Sequence, residues 1–277
     1  MRRIVLPDGS SIPAIGQGTW RMGEKPAQRQ GEVSALQAGI DLGLTLIDTA
    51  EIYGNGGAEE VVGEALKGRR DRVYLVSKVL PSNASFAGTV AACERSLQRM
   101  KTDRLDLYLL HWRGGDPLAE TLKAFLQLQA QGKIKSFGVS NFDTSDMKQW
   151  LAISGAAATQ TNQILYNVGV RGPEHDLAPL MTRHGIALMA YCPLAQGEVT
   201  AFAKLQPIAA RHEATVAQVM LAWATRHKLA FAVPKSSHVV RLKENAAAMD
   251  LRLTAEDLAE IDAAFPAPKK AVPLEMI

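Results

Sequence analysis

The sequence predicts an α/β fold, a (β/α)8 (TIM) barrel with an N-terminal β-hairpin, and three observations carry that expectation. Eight short apolar runs alternate with stretches of helical period. The runs show little polar alternation, as parallel strands buried on both faces should. Each also ends in a polar or aromatic residue, and strand ends are where a barrel gathers its chemistry. The length of 277 residues suits one barrel, which typically needs about 250. No linker, low-complexity tract or charge run divides the chain, so 1–277 is expected to be a single domain. An open doubly wound sheet is the alternative. It wants a Gly-x-Gly-x-x-Gly turn, and Gly16-Gln17-Gly18-Thr19-Trp20 holds only half of one.

In chain order, Arg2–Leu6, the turn Pro7-Asp8-Gly9-Ser10 and Ser11–Ala14 make the hairpin, because Asp-Gly between apolar runs favours a tight reversal. The candidate barrel strands are Ile15–Thr19, Leu44–Asp48, Val73–Lys78, Leu105–His111, Ile134–Ser140, Thr159–Gln163, Ile186–Tyr191 and Ala230–Lys235. Among the helices, Phe86, Val90, Cys93, Leu97 and Met100 step by four and three to make one apolar stripe. Val216, Val219, Met220 and Trp223 make another. Leu258, Ile261 and Phe265 form the last, entered by Thr254-Ala-Glu-Asp257, which resembles a capping box.

Composition narrows the function classes. The chain is 47% hydrophobic and 21% charged, enough apolar material for a large core. A net charge of +3 without a long basic run argues against nucleic-acid or membrane partners. Cys93 and Cys192 are too few for a disulfide scaffold and show no metal-ligand spacing. Met-Arg-Arg reaches Pro7-Asp8-Gly9 after three apolar residues, so no signal peptide is expected, and no run is long enough to cross a membrane. The expectation is a cytoplasmic monomer with no metal.

The strand ends are Thr19-Trp20, Asp48, Lys78, His111, Ser140-Asn141, Gln163, Tyr191 and Lys235-Ser236. Carbonyl reduction needs a hydride donor and a proton donor for the developing alkoxide. A tyrosine, with pKa near ~10, serves only if a neighbouring cation stabilises its phenolate. A lysine supplies that cation, a carboxylate holds the lysine charged, and a histidine can orient the carbonyl. Tyr53, Lys78, Asp48 and His111 fit those roles. Singly, each has a plainer explanation: Asp48 a helix cap, Lys78 a surface or Schiff-base lysine, His111 a rim histidine, Tyr53 a loop aromatic.

Four stretches together resemble the aldo-keto reductases: Asp48-Thr-Ala-Glu-Ile-Tyr53-Gly-Asn-Gly-Gly-Ala-Glu59, Val76-Ser-Lys78-Val, Leu105-Asp-Leu-Tyr-Leu-Leu-His111-Trp112 and Gly138-Val-Ser140-Asn141. The resemblance covers roughly residues 4 to 268. Within the family it is most similar to bacterial methylglyoxal reductase-like members, through Gly16-Gln-Gly-Thr-Trp-Arg-Met-Gly23 and Pro266-Ala-Pro-Lys-Lys270. It implies an NADPH-dependent reductase of small aldehydes and ketones, with Tyr53 as general acid, Lys78 and Asp48 as its support, His111 orienting the substrate, and no metal.

On the cofactor side, the resemblance implies that Ser140, Asn141 and Gln163 bond the nicotinamide carboxamide and that Tyr191 stacks on the ring. Gly18, Thr19, Trp20 and Asp48 flank the cofactor, and Pro193-Leu194 follow in the family's turn. Cys192 stands where the family usually has Ser. Lys235 and hydroxyls beside a helix start, with Arg241 one turn later, suit a dianion. The resemblance makes Lys235, Ser236, Ser237 and Arg241 the holders of the adenosine 2′-phosphate, and Glu244 and Asn245 contacts of the adenine. His238 replaces a residue that is usually small or hydroxylic.

The substrate pocket is expected to be lined by Trp20, Tyr53, His111 and Trp112. Short loops after Trp112 and Tyr191 and a short C-terminal tail predict an open site with few walls, suited to small activated aldehydes such as methylglyoxal. Two other functions fit parts of the pattern: a Schiff-base aldolase using Lys78, and a cofactor-binding regulatory subunit.

Overall fold

The computed structural model describes residues 1–277. It opens with an antiparallel hairpin of β1 (Arg3–Val5) and β2 (Ser11–Pro13). The Asp8 carboxylate accepts from Ser10 N at 2.8 Å, and Gly9 turns the chain at φ 81°. Those are the two services for which turns select Asp and Gly.

Eight parallel strands follow: β3 (Gln17–Gly18), β4 (Leu46–Asp48), β5 (Tyr74–Val79), β6 (Leu105–Leu110), β7 (Ile134–Ser140), β8 (Thr161–Leu165), β9 (Ala187–Tyr191) and β10 (Ala230–Ala232). Each is hydrogen-bonded to the next in chain order. The ring closes where the segment around β3 meets the exit of β10. Ile15 bridges Ala232 and Gly18 bridges Lys235, with Gly16 N donating to Ala232 O at 2.8 Å and Gly18 N to Pro234 O at 3.0 Å. A Cβ on Gly18 would sit 2.7 Å from Val233 O, so closure at this distance requires glycine there. The closed barrel leaves none of its eight strands as an open edge.

The helices are α1 (Arg29–Asp41), α2 (Gly57–Ala65), α3 (Phe86–Met100), α4 (Leu118–Ala130), α5 (Thr144–Leu151), α6 (Leu177–Arg183), α7 (Gln206–Arg211), α8 (Val216–Ala224), α9 (Val239–Ala247) and α10 (Ala255–Ala264). Their apolar faces cover the outer face of the strands in one large core. A second, smaller core fills the barrel, where Leu46, Val76, Leu107, Met189 and Phe231 meet Ile4, Leu6 and Ile12 from the hairpin. The hairpin therefore plugs the N-terminal end and leaves the C-terminal end for chemistry.

The predicted stripe on α3 buries Cys93, Leu97 and Met100, while Phe86 and Val90 are only partly covered. The capping box of α10 is present, with Asp257 N donating to Thr254 Oγ1 at 3.1 Å and Thr254 N to Asp257 Oδ2 at 2.8 Å. Of the eight predicted barrel strands only Ile134–Ser140 keeps both its bounds. β4 starts at Leu46 rather than Leu44, β5 moves by one residue at both ends, and β6 and β9 shift by one residue at an end. Three strands change for a visible reason. β3 is cut to two residues and β10 to three, because closure there runs through isolated bridges around Pro234, which has no N–H to donate. β8 lies two residues later than predicted. Thr159 is engaged outside the sheet, its hydroxyl donating to Ala156 O at 2.6 Å and accepting from Trp150 Nε1 at 2.7 Å.

Gly138 shows how tightly the inner strands pack, since a Cβ there would lie 2.5 Å from Thr161 O and 2.9 Å from Leu109 Cδ2. Gly138→Ala should destabilise by about 1–3 kcal/mol, the usual penalty of overpacking. Gly115→Ala meets open space and should change little. Denaturant melts of the two variants would check this, and equal midpoints would show that β7 and β8 yield freely.

Candidate active site

β4 ends in Asp48, opposite Val76 of β5. Lys78, one pleat further along β5, therefore points to the same face as the aspartate. Its Nζ donates to Asp48 Oδ2 at 2.9 Å, to Thr49 O at 2.9 Å and to Tyr53 Oη at 3.3 Å, which uses all three ammonium protons. Gln163 Nε2 donates to the other aspartate oxygen at 2.9 Å and lies 3.0 Å from Met189 Sδ. Tyr53 opens a short turn, Tyr53–Gly56, in which Gly54, Asn55 and Gly56 all take positive φ. Gly56 at φ 92° is a conformation a side chain would strain, and it lets the turn fold back over the barrel mouth. Just outside, the fully buried Glu59 accepts from Ser77 Oγ and from Arg99 Nε, both at 2.6 Å, and ties α2 to β5 beside Lys78.

Burial would lower the Lys78 pKa, but the charges of Asp48 and Tyr53 outweigh it and the ammonium is held above its ordinary value. Burial pushes Asp48 upward while Lys78 and Gln163 pull it back. The hydrogen-bond pattern, three donors on a cation and two on an acceptor, is that of an ion pair. A lysine that is fully buried and held cationic is a poor amine nucleophile, which counts against the Schiff-base alternative.

Tyr53 is held protonated by its surroundings. Burial dominates and raises Tyr53, with Lys78 opposing and Asp48 adding to the rise. The phenol is therefore protonated at neutral pH, the state a proton donor needs. A cation beside it is placed where it would stabilise a phenolate, were the proton given up. His111 is 8% exposed, and burial together with Lys78 drives its pKa well below the ordinary value. The neutral imidazole stands edge-on to Tyr53, ring centroids 5.7 Å apart, and 4.8 Å from Trp112. Its Nδ1 is buried without a partner.

A cavity of about 940 Å³ occupies the mouth of the barrel. Its wall includes Gly18, Thr19, Trp20, Asp48, Tyr53, His111 and Trp112 at one side, and Asn141, Gln163, Tyr191, Cys192, Pro193 and Leu194 along it. Lys235, Ser236, Ser237, Arg241, Glu244 and Asn245 line its far side. Two residues from the sequence analysis stand behind it. Lys78 touches the cavity only through Tyr53 and Asp48. Ser140 is fully buried, donating to Gln163 O at 3.0 Å and accepting from Asn141 Nδ2 at 3.2 Å.

The residues fit the dinucleotide that the resemblance implies. Gln163 Nε2 is spent on Asp48, whereas its Oε1 makes no bond within the protein and the side chain lines the cavity. Asn141, in the left-handed region at φ 57°, donates to His111 O at 3.1 Å and accepts from Tyr191 Oη at 2.9 Å, which fixes both side chains. α9 starts without a side-chain cap, leaving amides free beside Lys235 and Arg241, a setting that favours an anion.

The expectation of few walls is overturned. After β9 the connection is longer than a short loop. It forms 3-10 turns at Ala195–Gly197 and Val199–Leu205, and Gln196, Gly197 and Val199 line the cavity. The tail beyond α10 returns across the mouth and adds Met276 and Ile277, while Arg21, Glu24 and Ile52 complete the rim. Sequence reasoning missed these because it looked at strand ends, and none of them is one. The positive φ required at Cys192, Ala195 and Gln196 carries no signal in those residue types.

No group of three or more His, Cys, Asp or Glu side chains is placed to hold a metal. Burial raises the Cys192 thiol to about 11, and Cys93 sits in the core. At pH 7.5 only about one Cys192 in three thousand would be thiolate. Iodoacetamide at that pH should label it slowly, as peptide mass spectrometry would record, and Cys192→Ser should stay active. Rapid labelling or an inactive serine variant would contradict this.

The comparisons with known proteins agree with this geometry. The Aldo/keto reductase family model matches residues 14–265. Methylglyoxal reductase YeaE of Escherichia coli K12 is 49% identical over 272 residues, 96% of each chain. Glyoxal reductase of Bacillus subtilis is 34% identical over 263 residues, 94% of this chain and 91% of that one. An aldo/keto reductase from Klebsiella pneumoniae, crystallised with NADP and acetate, superposes with a TM-score of 0.96 at 48% identity, covering 99% of both chains. With the family model spanning most of its length and its eight closed parallel strands, the chain belongs to the aldo/keto reductase family.

Proposed function

We propose that the protein reduces small, activated aldehydes and ketones such as methylglyoxal to alcohols, with NADPH as cofactor and Tyr53 as general acid. The carrying observation is the Asp48–Lys78–Tyr53 chain, in which a protonated phenol faces the cavity with a buried cation 3.3 Å behind its oxygen. NADPH supplies the hydride. Lys235, Ser236, Ser237 and Arg241 would hold its 2′-phosphate, Glu244 and Asn245 its adenine, and Tyr191, Asn141 and Gln163 its nicotinamide end. Gly18, Thr19 and Trp20 would flank it.

As negative charge develops on the substrate oxygen, the Tyr53 hydroxyl gives it a proton. The phenolate left on Oη is stabilised by Lys78 Nζ, whose own charge is balanced by Asp48. Neutral His111 can donate one N–H to the same oxygen and hold it toward Tyr53 without adding charge to the pocket. Trp20 and Trp112 wall the substrate. The NADP-bound Klebsiella structure and the methylglyoxal reductase relative support the cofactor and the substrate class. No helix is long and apolar enough to cross a membrane. The same reading has the chain working as one domain, a cytoplasmic monomer with a small carbonyl compound as its partner.

Tyr53→Phe should lower kcat for methylglyoxal by about 10²–10⁴-fold, the usual contribution of a positioned acid, while NADPH titration stays near wild type. Retention of more than a tenth of wild-type kcat would remove Tyr53 from the role. Lys235→Ala and Arg241→Ala should each weaken NADPH by roughly ten- to a hundredfold and NADH far less, because a charged hydrogen bond is worth about 1.5–3 kcal/mol. Equal losses for the two cofactors would show that these cations do not read the 2′-phosphate.

A further inference from the structure

The side-chain amide of Gln163 can stand only one way round. Its Nε2 donates to Asp48 Oδ1 at 2.9 Å and lies 3.0 Å from Met189 Sδ, so both of its hydrogens are spent within the protein. An ionised carboxylate and a thioether accept hydrogen bonds and have none to give. Turned over, the amide would set its own oxygen against both of them with no donor between. Gln163 is 2% exposed, and a polar group buried that deeply keeps its hydrogen bonds. Its Oε1 therefore points away from Asp48, bonds to nothing in the protein and is open to the cavity. Nearby, Asn141 Oδ1 is already met by Tyr191 Oη at 2.9 Å, which leaves Gln163 Oε1 as an unmet acceptor in this wall.

Resting on the NADPH reading above, we infer that Asp48 acts through Gln163 as a positioning residue for the cofactor. It turns an acceptor toward the nicotinamide, which is then selected by the N–H of its carboxamide. The carboxylate that balances Lys78 thus has a second consequence at its other oxygen. A ring substituent with a carbonyl but no N–H has nothing to offer Oε1 and leaves a buried acceptor unpaired. The selection depends on Asp48 and not on Gln163 alone. With Asn at position 48, Lys78 can take only the amide oxygen, since an ammonium accepts nothing. The new NH2 then faces Gln163, whose own amide turns over to meet it and shows Nε2 to the cavity. A donor there serves a ketone as well as a carboxamide, because both carry a carbonyl.

The test compares NADP⁺ with its 3-acetylpyridine analogue, in which a methyl group replaces the carboxamide NH2 and the carbonyl stays. Isothermal titration of the full-length chain gives both affinities without turnover. The two ligands match in size and charge, so a variant that merely loosens the site weakens both and leaves their ratio. The wild type should bind NADP⁺ about three- to tenfold better, as one neutral hydrogen bond allows. Asp48→Asn should bring the ratio to within about twofold of one. Because that change strands Lys78, the neutral pair Asp48→Asn/Lys78→Met is measured beside it, with the same result expected. Met189→Leu keeps the carboxylate and should keep the wild-type ratio. An undiminished ratio in either Asp48 variant, a ratio lost in Met189→Leu, or a wild type that binds the two ligands alike overturns the inference and leaves the cofactor reading standing. A wild type that binds neither ligand overturns the cofactor reading itself.

Discussion

The Asp48–Lys78 ion pair is the interaction on which the site depends. Both side chains are withdrawn from water, Lys78 completely, and such a pair is tolerated only when every remaining donor and acceptor is satisfied. Here Thr49 O and Tyr53 Oη take the other two ammonium protons, and Gln163 occupies the second aspartate oxygen. Removing one partner from a buried pair generally costs about 3–5 kcal/mol, because the other charge is stranded. The pair thus fixes the spacing of β4, β5 and β8 at the mouth and holds the tyrosine in one position. Acid chemistry and local fold rest on the same three hydrogen bonds.

That dependence explains which parts of the molecule were legible in the sequence. Residues at the ends of parallel strands must converge in a closed barrel, so Asp48, Lys78, His111, Gln163 and Tyr191 could be placed together from their positions alone. The strands could be read because burial on both faces leaves no polar alternation in runs such as Ala187–Tyr191. What failed was what periodicity does not encode. β8 begins later than its apolar run because Thr159 is engaged elsewhere, and β10 is short because Pro234 has no donor. The walls from Gln196, Val199, Met276 and Ile277 come from segments without repeating pattern, brought to the mouth by tertiary contacts.

The balance of forces on Tyr53 was not legible in the sequence for a related reason. A sequence shows that a lysine lies near a tyrosine but not how much water either keeps. In the structure, desolvation of the phenol outweighs the attraction of Lys78, and Asp48 offsets part of that attraction. In the proposed reaction this would make an acid that keeps its proton until the substrate oxygen becomes basic enough to take it. The charge of Asp48 adds to the rise that desolvation begins, so the phenol keeps its proton in the resting state. The carboxylate therefore acts as a moderator as well as an anchor.

The substrate side is built on a different principle. Four apolar side chains around the mouth remain well exposed, Trp20 and Ile52 at 40%, Met276 at 51% and Ile277 at 66%. They offer area rather than direction, worth about 25 cal/mol for each Å² they cover on a ligand. The polar groups proposed to act on the carbonyl are held by the barrel strands and the turn after β4, whereas the apolar groups that would meet the rest of the substrate lie on two loops and a tail. A substitution in those walls changes how large a ligand is gripped without disturbing the Asp48–Lys78 pair, since none of the four touches it. Reaction and size preference are thus held by separate parts of the chain. The barrel constrains the first, and the second is free to vary with the segments that cross its mouth.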